Sequence, residues 1–394
     1  MRFTALALRL LLWCSSTFGE PSVRRRAEEL EQLLDLEARK EAFHSSYTQT
    51  HFITYRNGEG FNNRLQALEV TFLLAVLLNR TLVIAPFTSG HNSGKLLSYL
   101  VFLEEILTWP VIDGARHDID LGDPVRLDQV NNTHCRVDLL DLRDEIRGSE
   151  IADVRTLRYG YVWGDWMSMF AEKYHTVIRH FLASQLRFSH YLCHGPLIPR
   201  PYAAMHLRFG DRLGLSLVNC SAFGFQLANS PAFHKPEMTR AWEDGVKFGC
   251  VRGSPEKFEI LRSEDAVDAW AVEASRPPRP VYIATNRPKD PRVARVKEKL
   301  AARGIEVLSY ENVSRLLDVT VRKTARDGAV LGVVEQCIAL YAESFLPSWP
   351  SSWDVSVTIR RMDMSAESHV HFRLMAESLA NHLAIFRNRS GCWD

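Results

Sequence analysis

Two short stretches of the 394-residue sequence combine residue types that could handle a phosphorylated ligand. The first is His206-Leu-Arg-Phe-Gly-Asp211, which follows an apolar run. Because alternate positions of a strand project to the same side, His206 and Arg208 should point together, with Arg208 at the strand end. A guanidinium there suits bidentate capture of a diphosphate, and it would stabilise negative charge on a leaving group. An ion pair between Arg208 and Asp211 in a structural turn fits the pattern equally well.

The second stretch is Glu59-Gly-Phe-Asn-Asn-Arg64, in which glycine frees the backbone beside a carboxylate and two amides. Glu59 could act as a general base, Asn62 could orient a ligand hydroxyl or phosphate, and Arg64 could brace the loop. Taken alone, the stretch is more typical of a helix cap, because Asn62 or Asn63 is a good N-cap residue.

Both stretches lie between a predicted strand and the segment that follows it. His51 to Tyr55 is a β-branched and aromatic run, Asn57 to Asn63 is a loop, and Leu65 to Leu78 is an apolar helical pattern that leads to a strand at Thr81 to Ala85. Residues 87–160 are irregular in pattern. A second alternation predicts four strands and two helices, at Tyr202 to Leu207, Pro280 to Thr285, a helix to Ala302, Ile305 to Ser309, Ala329 to Tyr341 and Ser344 to Leu346.

The alternation predicts an α/β fold with two doubly wound, Rossmann-like domains, separated where prolines cluster in residues 193–201. We expect an N-terminal domain over residues 46–200 and a C-terminal domain over 201–394. Ligands of such sheets bind beyond the carboxyl ends of the strands. Four loops would then surround one cleft between the domains: Asn57 to Asn63, Arg208 to Arg212, Asn286 to Lys289 and Pro347 to Trp353.

Charge and targeting features indicate the secretory pathway. The net charge of +1 provides no electrostatic footprint for nucleic acid. Residues 1–19 read as a signal peptide, and no later run is long and apolar enough to span a bilayer, so we expect a protein soluble in the lumen. Residues 20–45 predict a charged helical stem, or a solvated helix laid on the first domain.

Cysteines and sequons fit the same compartment. Six cysteines remain after the signal, which permits disulfides whose partners the sequence leaves open. The apolar pattern around Cys337 is also typical of a buried thiol. Five sequons begin at asparagines, of which Asn79 ends a helix that reads as buried, and burial there would prevent glycosylation. All five are Asn79, Asn131, Asn219, Asn312 and Asn388.

Three further motifs are weak. The run from Gly90 to Lys95 has the wrong spacing for a P-loop. Asp118-Ile-Asp120 has the D-x-D form of metal-dependent sugar transferases, but acidic pairs in loops are usually solvated. His369-Val-His371 lacks further ligands nearby in the sequence. We therefore expect no metal.

Four motifs in order resemble the GDP-fucose protein O-fucosyltransferases, and together they span most of residues 50–361. They are Gly58-Glu-Gly-Phe-Asn-Asn-Arg64 with its apolar helix and Asn79 to Pro86, then His206-Leu-Arg208, then Val281 to Thr285, and finally Val334-Glu-Gln336 through Phe345 to Ser351-Ser-Trp353.

The resemblance implies a GT-B-like fold in which the N-terminal domain faces the acceptor and the C-terminal domain holds the GDP-sugar. It implies transfer of fucose from GDP-fucose to a Ser or Thr hydroxyl of a protein, with inversion, no metal and no other cofactor. By this resemblance Arg208 would hold the β-phosphate and Asn62 would contact the donor near its diphosphate. Ser351 and Ser352 would lie on a phosphate-binding loop, and Glu59 would be the base. The setting would be the lumen of the endoplasmic reticulum or Golgi.

The resemblance extends to other donor contacts, which are Gly60, Phe61, His206, Asp211, Thr285, Asn286 and Trp353. Asn286 stands where the family often has aspartate, and the last loop, with Trp349-Pro350 and Trp353-Asp354, departs from the family pattern. Two alternatives therefore stay open. One is a nucleotide-sugar transferase of the same fold that acts on a glycan, and the other is a non-catalytic GDP-sugar or glycan-binding protein on a degenerate transferase scaffold.

Overall fold

Two parallel β-sheets organise the part of the chain that the computed structural model describes, which comprises residues 21–36, 51–56, 60–88, 96–127, 139–160, 175–193, 196–198, 201–207, 251–254, 257–260, 279–317, 328–347 and 352–361. The described residues between positions 52 and 159 form seven strands: β1 (Phe52–Tyr55), β2 (Thr81–Ile84), β3 (Phe87–Thr88), β4 (Leu96–Leu97), β5 (Val111–Asp113), β6 (Val125–Arg126) and β7 (Thr156–Tyr159). Five of them form a sheet in the order β5-β2-β1-β7-β6, in which every neighbouring pair is parallel.

The second sheet is built from strands between residues 203 and 346. The strands there are β8 (Ala203–Leu207), β9 (Val251–Ser254), β10 (Lys257–Ile260), β11 (Val281–Thr285), β12 (Val307–Leu308) and β13 (Ser344–Leu346). Four of them form a parallel sheet in the order β12-β11-β8-β13, while β9 and β10 pair with each other. The predicted α/β class with two parallel sheets is confirmed.

Eight α-helices flank these sheets within the described residues. They are α1 (Pro21–Leu34), α2 (Phe61–Leu78), α3 (Leu139–Arg147), α4 (His175–Gln185), α5 (Pro291–Ala301), α6 (Tyr310–Val313), α7 (Gly328–Tyr341) and α8 (Ser352–Arg361). The helix α8 comes from the C-terminal part of the chain, yet it packs against α2 and α4 as well as α7. The two parts of the chain are therefore joined through helices.

The helix α2 differs from its predicted form at its start. It begins at Phe61 rather than Leu65, and its N-cap is Gly60, not Asn62 or Asn63. It ends at Leu78, as predicted, and its C-cap is Asn79, which has a φ of 56°, in the left-handed region that asparagine tolerates better than most residues. Asn79 is exposed, so the expectation that burial would keep this sequon unglycosylated is wrong in its premise.

The segment 87–160, predicted as irregular, supplies three strands of the first sheet. These are β5, β6 and β7, which are only two to four residues long. A strand this short completes too few alternations to show a period of two, so its pattern cannot be told from that of a loop.

The charged helix α1 packs on the body of the protein. Leu30, Leu34 and Leu36 are buried in the main hydrophobic core, and Arg143 of α3 forms a 2.8 Å ion pair with Glu29. Of the two interpretations of this segment, a helix laid on the first sheet's helices describes these residues, while a projecting stem does not.

The structure contains a disulfide bond, for which the sequence left the partners open. Cys193, which follows α4, is bonded to Cys337 of α7, with the two Cα atoms 5.5 Å apart. The interpretation of Cys337 as a buried free thiol is therefore wrong. The bond ties the helical layer of the first sheet to that of the second.

A buried ion pair makes a second connection between the two parts of the chain. Glu69 of α2 lies 3.1 Å from the guanidinium of Arg360 of α8, and both side chains are almost completely buried. Arg360 also donates to the backbone oxygen and the hydroxyl of Ser356. The neighbouring Arg361 donates to the backbone oxygens of Ala339, Leu340 and Ala342, so it caps the last turn of α7.

None of the helices in the described ranges is long and apolar enough to cross a membrane.

We expect Glu69→Leu to lower the free energy of unfolding by about 3–5 kcal/mol, because it leaves the buried charge of Arg360 without its partner. The double variant Glu69→Leu/Arg360→Met should be less destabilised than Glu69→Leu, since it removes both charges from the interior. Urea unfolding measures each value. Glu298→Leu, at an exposed glutamate of α5, serves as the control and should change stability by less than about 0.5 kcal/mol. Equal effects of Glu69→Leu and Glu298→Leu would contradict this account of the interface.

Candidate functional site

The candidate site begins at the carboxyl end of β1, where α2 starts. Gly60 has extended backbone angles (φ −61°, ψ 161°) and offers no side chain to cap the helix. Its backbone oxygen accepts from the N–H groups of Asn63 and Arg64, at 3.0 and 3.2 Å, and the start of α2 is the positive end of the helix dipole. Asn62 lies in this first helical turn, not in a loop as predicted.

Two neighbours hold this turn in place. The ring of Phe61 packs on those of Phe87 and Phe102, with centroid distances of 5.4 and 4.7 Å. Arg64 donates a hydrogen bond to Thr88 of β3, and its predicted role in bracing the loop before α2 stays a prediction. Burial raises the pKa of the nearby Tyr55 hydroxyl, an effect that the charge of Arg64 opposes.

The side-chain amide of Gln336 joins the start of α2 to the start of α8. Gln336 lies in the middle of α7 and is completely buried. Its Nε2 atom donates to Asn62 Oδ1 at 2.7 Å and to the backbone oxygen of Trp353 at 3.3 Å. Gln336 thus bonds to a residue that lies 274 positions before it in sequence and to one that lies 17 positions after it.

A second buried polar contact lies beside it, at the end of β8. His206 Nδ1 is 2.8 Å from Asp354 Oδ2, and both residues are buried. A carboxylate can only accept, so we assign the Nδ1 proton to His206. The imidazole also stacks on Trp353, with ring centroids 4.3 Å apart. The indole N–H of Trp353 donates to the backbone oxygen of Gly332 at 3.1 Å, so the indole is fixed against α7 and its N–H is already used.

The predicted loop Pro347 to Trp353 is shorter than expected, because Ser352 and Trp353 belong to the first turn of α8. Ser352 is partly exposed at the positive end of this ten-residue helix. The first turn also contains Asp354, whose carboxylate is turned toward His206.

The carboxyl ends of β8 and β11 are held together by Thr285. Its hydroxyl donates to the backbone oxygen of Leu207 at 2.7 Å and accepts from the backbone N–H of Arg287 at 3.2 Å. Asn286 is exposed beside it. The following residues, Arg287 to Asp290, line an open recess of about 410 Å³.

The structure thus brings Asn62, His206 and Trp353 together, with Thr285 on the neighbouring strand end. Glu59, Arg208, Asp211 and Ser351 lie outside the described residues, as do His369 and His371. Their proposed roles stay predictions.

In the described ranges, no three His, Cys, Asp or Glu side chains are grouped closely enough to hold a metal ion. Asp118 and Asp120 are exposed, and Asp120 Oδ1 accepts from the backbone N–H of Gly122 in a turn.

Three polar residues of this region, Glu335, Gln336 and Asp354, are not among the site residues predicted from the sequence. Glu335 and Gln336 are adjacent polar residues in the otherwise apolar helix GAVLGVVEQCIALY, a signal that each needs a buried partner. Asp354 stood out only as an unusual feature of the last loop. The partner of Glu335 is the buried hydroxyl of Tyr282, which donates to Glu335 Oε1 at 3.0 Å.

No protein-family model and no curated protein matches the chain. The crystal structure of POFUT1 in complex with GDP-fucose aligns with 80% of this chain and 96% of its own, at 15% identity and a TM-score of 0.47. The NodZ α-1,6-fucosyltransferase soaked with GDP-fucose covers 78% of this chain and 92% of its own, at 14% identity and a TM-score of 0.42. Fucosyltransferase NodZ from Bradyrhizobium covers 80% and 94%, at 13% identity and a TM-score of 0.40. At these identities the likeness is one of fold.

The pH dependence of stability should report on Glu335. Burial raises its pKa to about 8, although the hydrogen bond from Tyr282 opposes the shift. Between the ordinary glutamate pKa of about 4.3 and this value, the folded state holds a proton that the unfolded state has lost. The contribution of Glu335 to the free energy of unfolding is therefore fully present below the ordinary pKa of about 4.3, and it is lost as the pH rises through about 8.

Glu335→Gln keeps an acceptor for Tyr282 but cannot ionise, so we expect it to flatten the profile and to stabilise the protein increasingly from pH 5 to pH 9. Thermal unfolding across this range, with Glu298→Gln as the control at an exposed glutamate, measures the effect. Parallel profiles for wild type and Glu335→Gln would show that Glu335 is not the group concerned.

Proposed function

We propose that this chain transfers fucose from GDP-fucose to a serine or threonine hydroxyl of a protein acceptor, with inversion and without a metal ion. The observation that carries the proposal is the meeting of separate motifs at one point. Asn62 and the backbone oxygen of Trp353 share the Gln336 amide, and Trp353 stacks on His206. These residues come from three of the four motifs that resemble the O-fucosyltransferases.

The arrangement suits an anionic diphosphate leaving group. The first turns of α2 and α8 are both exposed to partial positive charge from their helix dipoles. Arg208 directly follows Leu207, the last residue of β8, and Ser351 directly precedes α8. In the proposed reaction Arg208 stabilises the departing β-phosphate, while Asn62 and the Ser351-Ser352 pair bind diphosphate oxygens.

The proposed chemistry is a single displacement at the anomeric carbon. The bond from that carbon to the β-phosphate oxygen breaks as the acceptor hydroxyl attacks from the opposite face. Glu59 accepts the hydroxyl proton, and GDP leaves with the bonding electron pair. Because the transition state resembles an oxocarbenium ion, positioning and charge stabilisation supply most of the catalysis.

The proposed setting is the lumen of the secretory pathway. The bond between Cys193 and Cys337 supports it, since disulfides persist in oxidising compartments. The signal-like residues 1–19 and the sequons agree with this setting.

We expect GDP release from GDP-fucose to persist in EDTA and to fall by at least ~100-fold in Arg208→Ala, as for loss of a group that stabilises transition-state charge. The acceptors are a panel of small secreted protein domains and oligosaccharides. Arg303→Ala is the matched control, at an exposed residue that follows α5, and it should keep full activity.

Four outcomes would contradict the proposal in different ways. A folded Arg208→Ala with wild-type activity would remove its central residue. Transfer only to oligosaccharides would favour a glycan acceptor. GDP binding without turnover on any acceptor would favour a binding protein. Activity that needs Mn²⁺ and is lost in Asp118→Ala or Asp120→Ala would favour a metal-dependent transferase.

A further inference from the structure

The orientation of the Asn62 amide follows from the chemistry of its partners. The backbone oxygen of Trp353 can only accept a hydrogen bond, and it lies 3.3 Å from the Gln336 amide. The side of that amide which faces Trp353 must therefore be the nitrogen. The same nitrogen is 2.7 Å from Asn62, so Asn62 must present its oxygen to it.

This chain of contacts leaves the Asn62 nitrogen pointing away from Gln336. Asn62 Oδ1 is held by the hydrogen bond, and within the described residues both hydrogens of Nδ2 stay available for another acceptor. Asn62 is partly exposed in the first turn of α2, whereas Gln336 is completely buried. The buried amide of Gln336 thus determines that the accessible amide of Asn62 presents its nitrogen, and not its oxygen, to a ligand.

We propose that Gln336 is a positioning residue that fixes Asn62 with its N–H donors toward the diphosphate of the donor substrate. The inference rests on the proposed function, because it assigns the anion that Asn62 meets. Without Gln336, the Asn62 amide can rotate by half a turn and present its oxygen to the diphosphate. Two electronegative groups then face each other, so the diphosphate is bound less well.

The fold supports a fixed role for this amide. Gln336 is flanked in sequence by Glu335, bonded to Tyr282, and by Cys337, bonded to Cys193. Both contacts restrict the movement of α7 beside the site. Within the described residues Gln336 Oε1 has no hydrogen-bond donor, so replacing the side chain with an apolar one also removes a buried unsatisfied oxygen. We therefore expect Gln336→Leu to fold.

The test compares binding of GDP and of guanosine by calorimetry, with competition for the weaker ligand. In Gln336→Leu the affinity for GDP should fall by at least tenfold, while the affinity for guanosine stays within twofold of wild type. General damage to the site would weaken both ligands alike. Gln336→Met, which has a similar length and no donor, is the second variant, and thermal unfolding verifies that each protein is folded.

Two further variants sharpen the comparison. Asn62→Asp keeps an acceptor for Gln336 Nε2 but has no donor and carries negative charge, so its thermal stability should match wild type while GDP binding falls by at least 100-fold. Gln185→Leu is the matched control, because it replaces a glutamine of α4, which accepts a hydrogen bond from Thr108, by leucine. This variant should bind GDP as tightly as wild type does.

The outcomes separate this inference from the proposed function. If wild type binds GDP and both Gln336 variants bind it equally well, Gln336 does not position Asn62 and only the inference fails. A parallel loss of GDP and guanosine also overturns it, because it indicates a structural role. If wild type binds no GDP, both the inference and the proposed function fail.

Discussion

The polar face of α2 is the constraint on which the assembly of this protein depends. Asn62, Gln66 and Glu69 lie at positions i, i+4 and i+7, so they share one side of a helix that is otherwise mostly apolar. Two of them bond to the C-terminal helices, Asn62 to Gln336 of α7 and Glu69 to Arg360 of α8. Buried polar groups are costly unless they are paired, so these contacts permit little variation in how the helices dock.

This docking has a direct consequence for the site. Because Asn62 is the first residue of the polar face, the contacts that join the two parts of the chain also place the start of α2 beside the start of α8. The disulfide from Cys193 to Cys337 adds a covalent connection at the residue after Gln336. The section of α7 around Gln336 and Cys337 therefore contributes both to the assembly and to the geometry of the site.

The sequence predicts the regular elements whose pattern is long, and it predicts short or tertiary features poorly. The helix over Ala329 to Tyr341 and the strand ending at Leu207 stand out because their apolar runs are sustained. The strands β5 and β6 have three and two residues, too few for any periodicity. The side chains of Asn62 and Asn63 predict the N-cap at one of them, whereas Gly60 is the N-cap and the side chain of Asn62 bonds to Gln336 instead.

The same distinction holds for the candidate site. The ends of predicted strands and the loops that follow them can be recognised in the sequence. The candidates Asn62, His206, Thr285 and Trp353 all come from such strand ends or loops. What their side chains contact depends on residues far away in the chain: Trp353 uses its N–H on Gly332, and His206 bonds to Asp354. Partners separated by 17 to 274 positions cannot be paired from one sequence. The polar face of α2 and the Glu335-Gln336 pair in α7 are the signals that could have indicated them.

Asn62, held by Gln336, is expected to meet the diphosphate of a GDP-sugar where the start of α2 lies beside the start of α8. A crystal structure of the protein with GDP tests it most directly. The account predicts Asn62 Nδ2 within hydrogen-bond distance of a phosphate oxygen, with Oδ1 still accepting from Gln336. A diphosphate bound elsewhere, for example on the exposed Arg287 and Lys289 with Asn62 uninvolved, would contradict it.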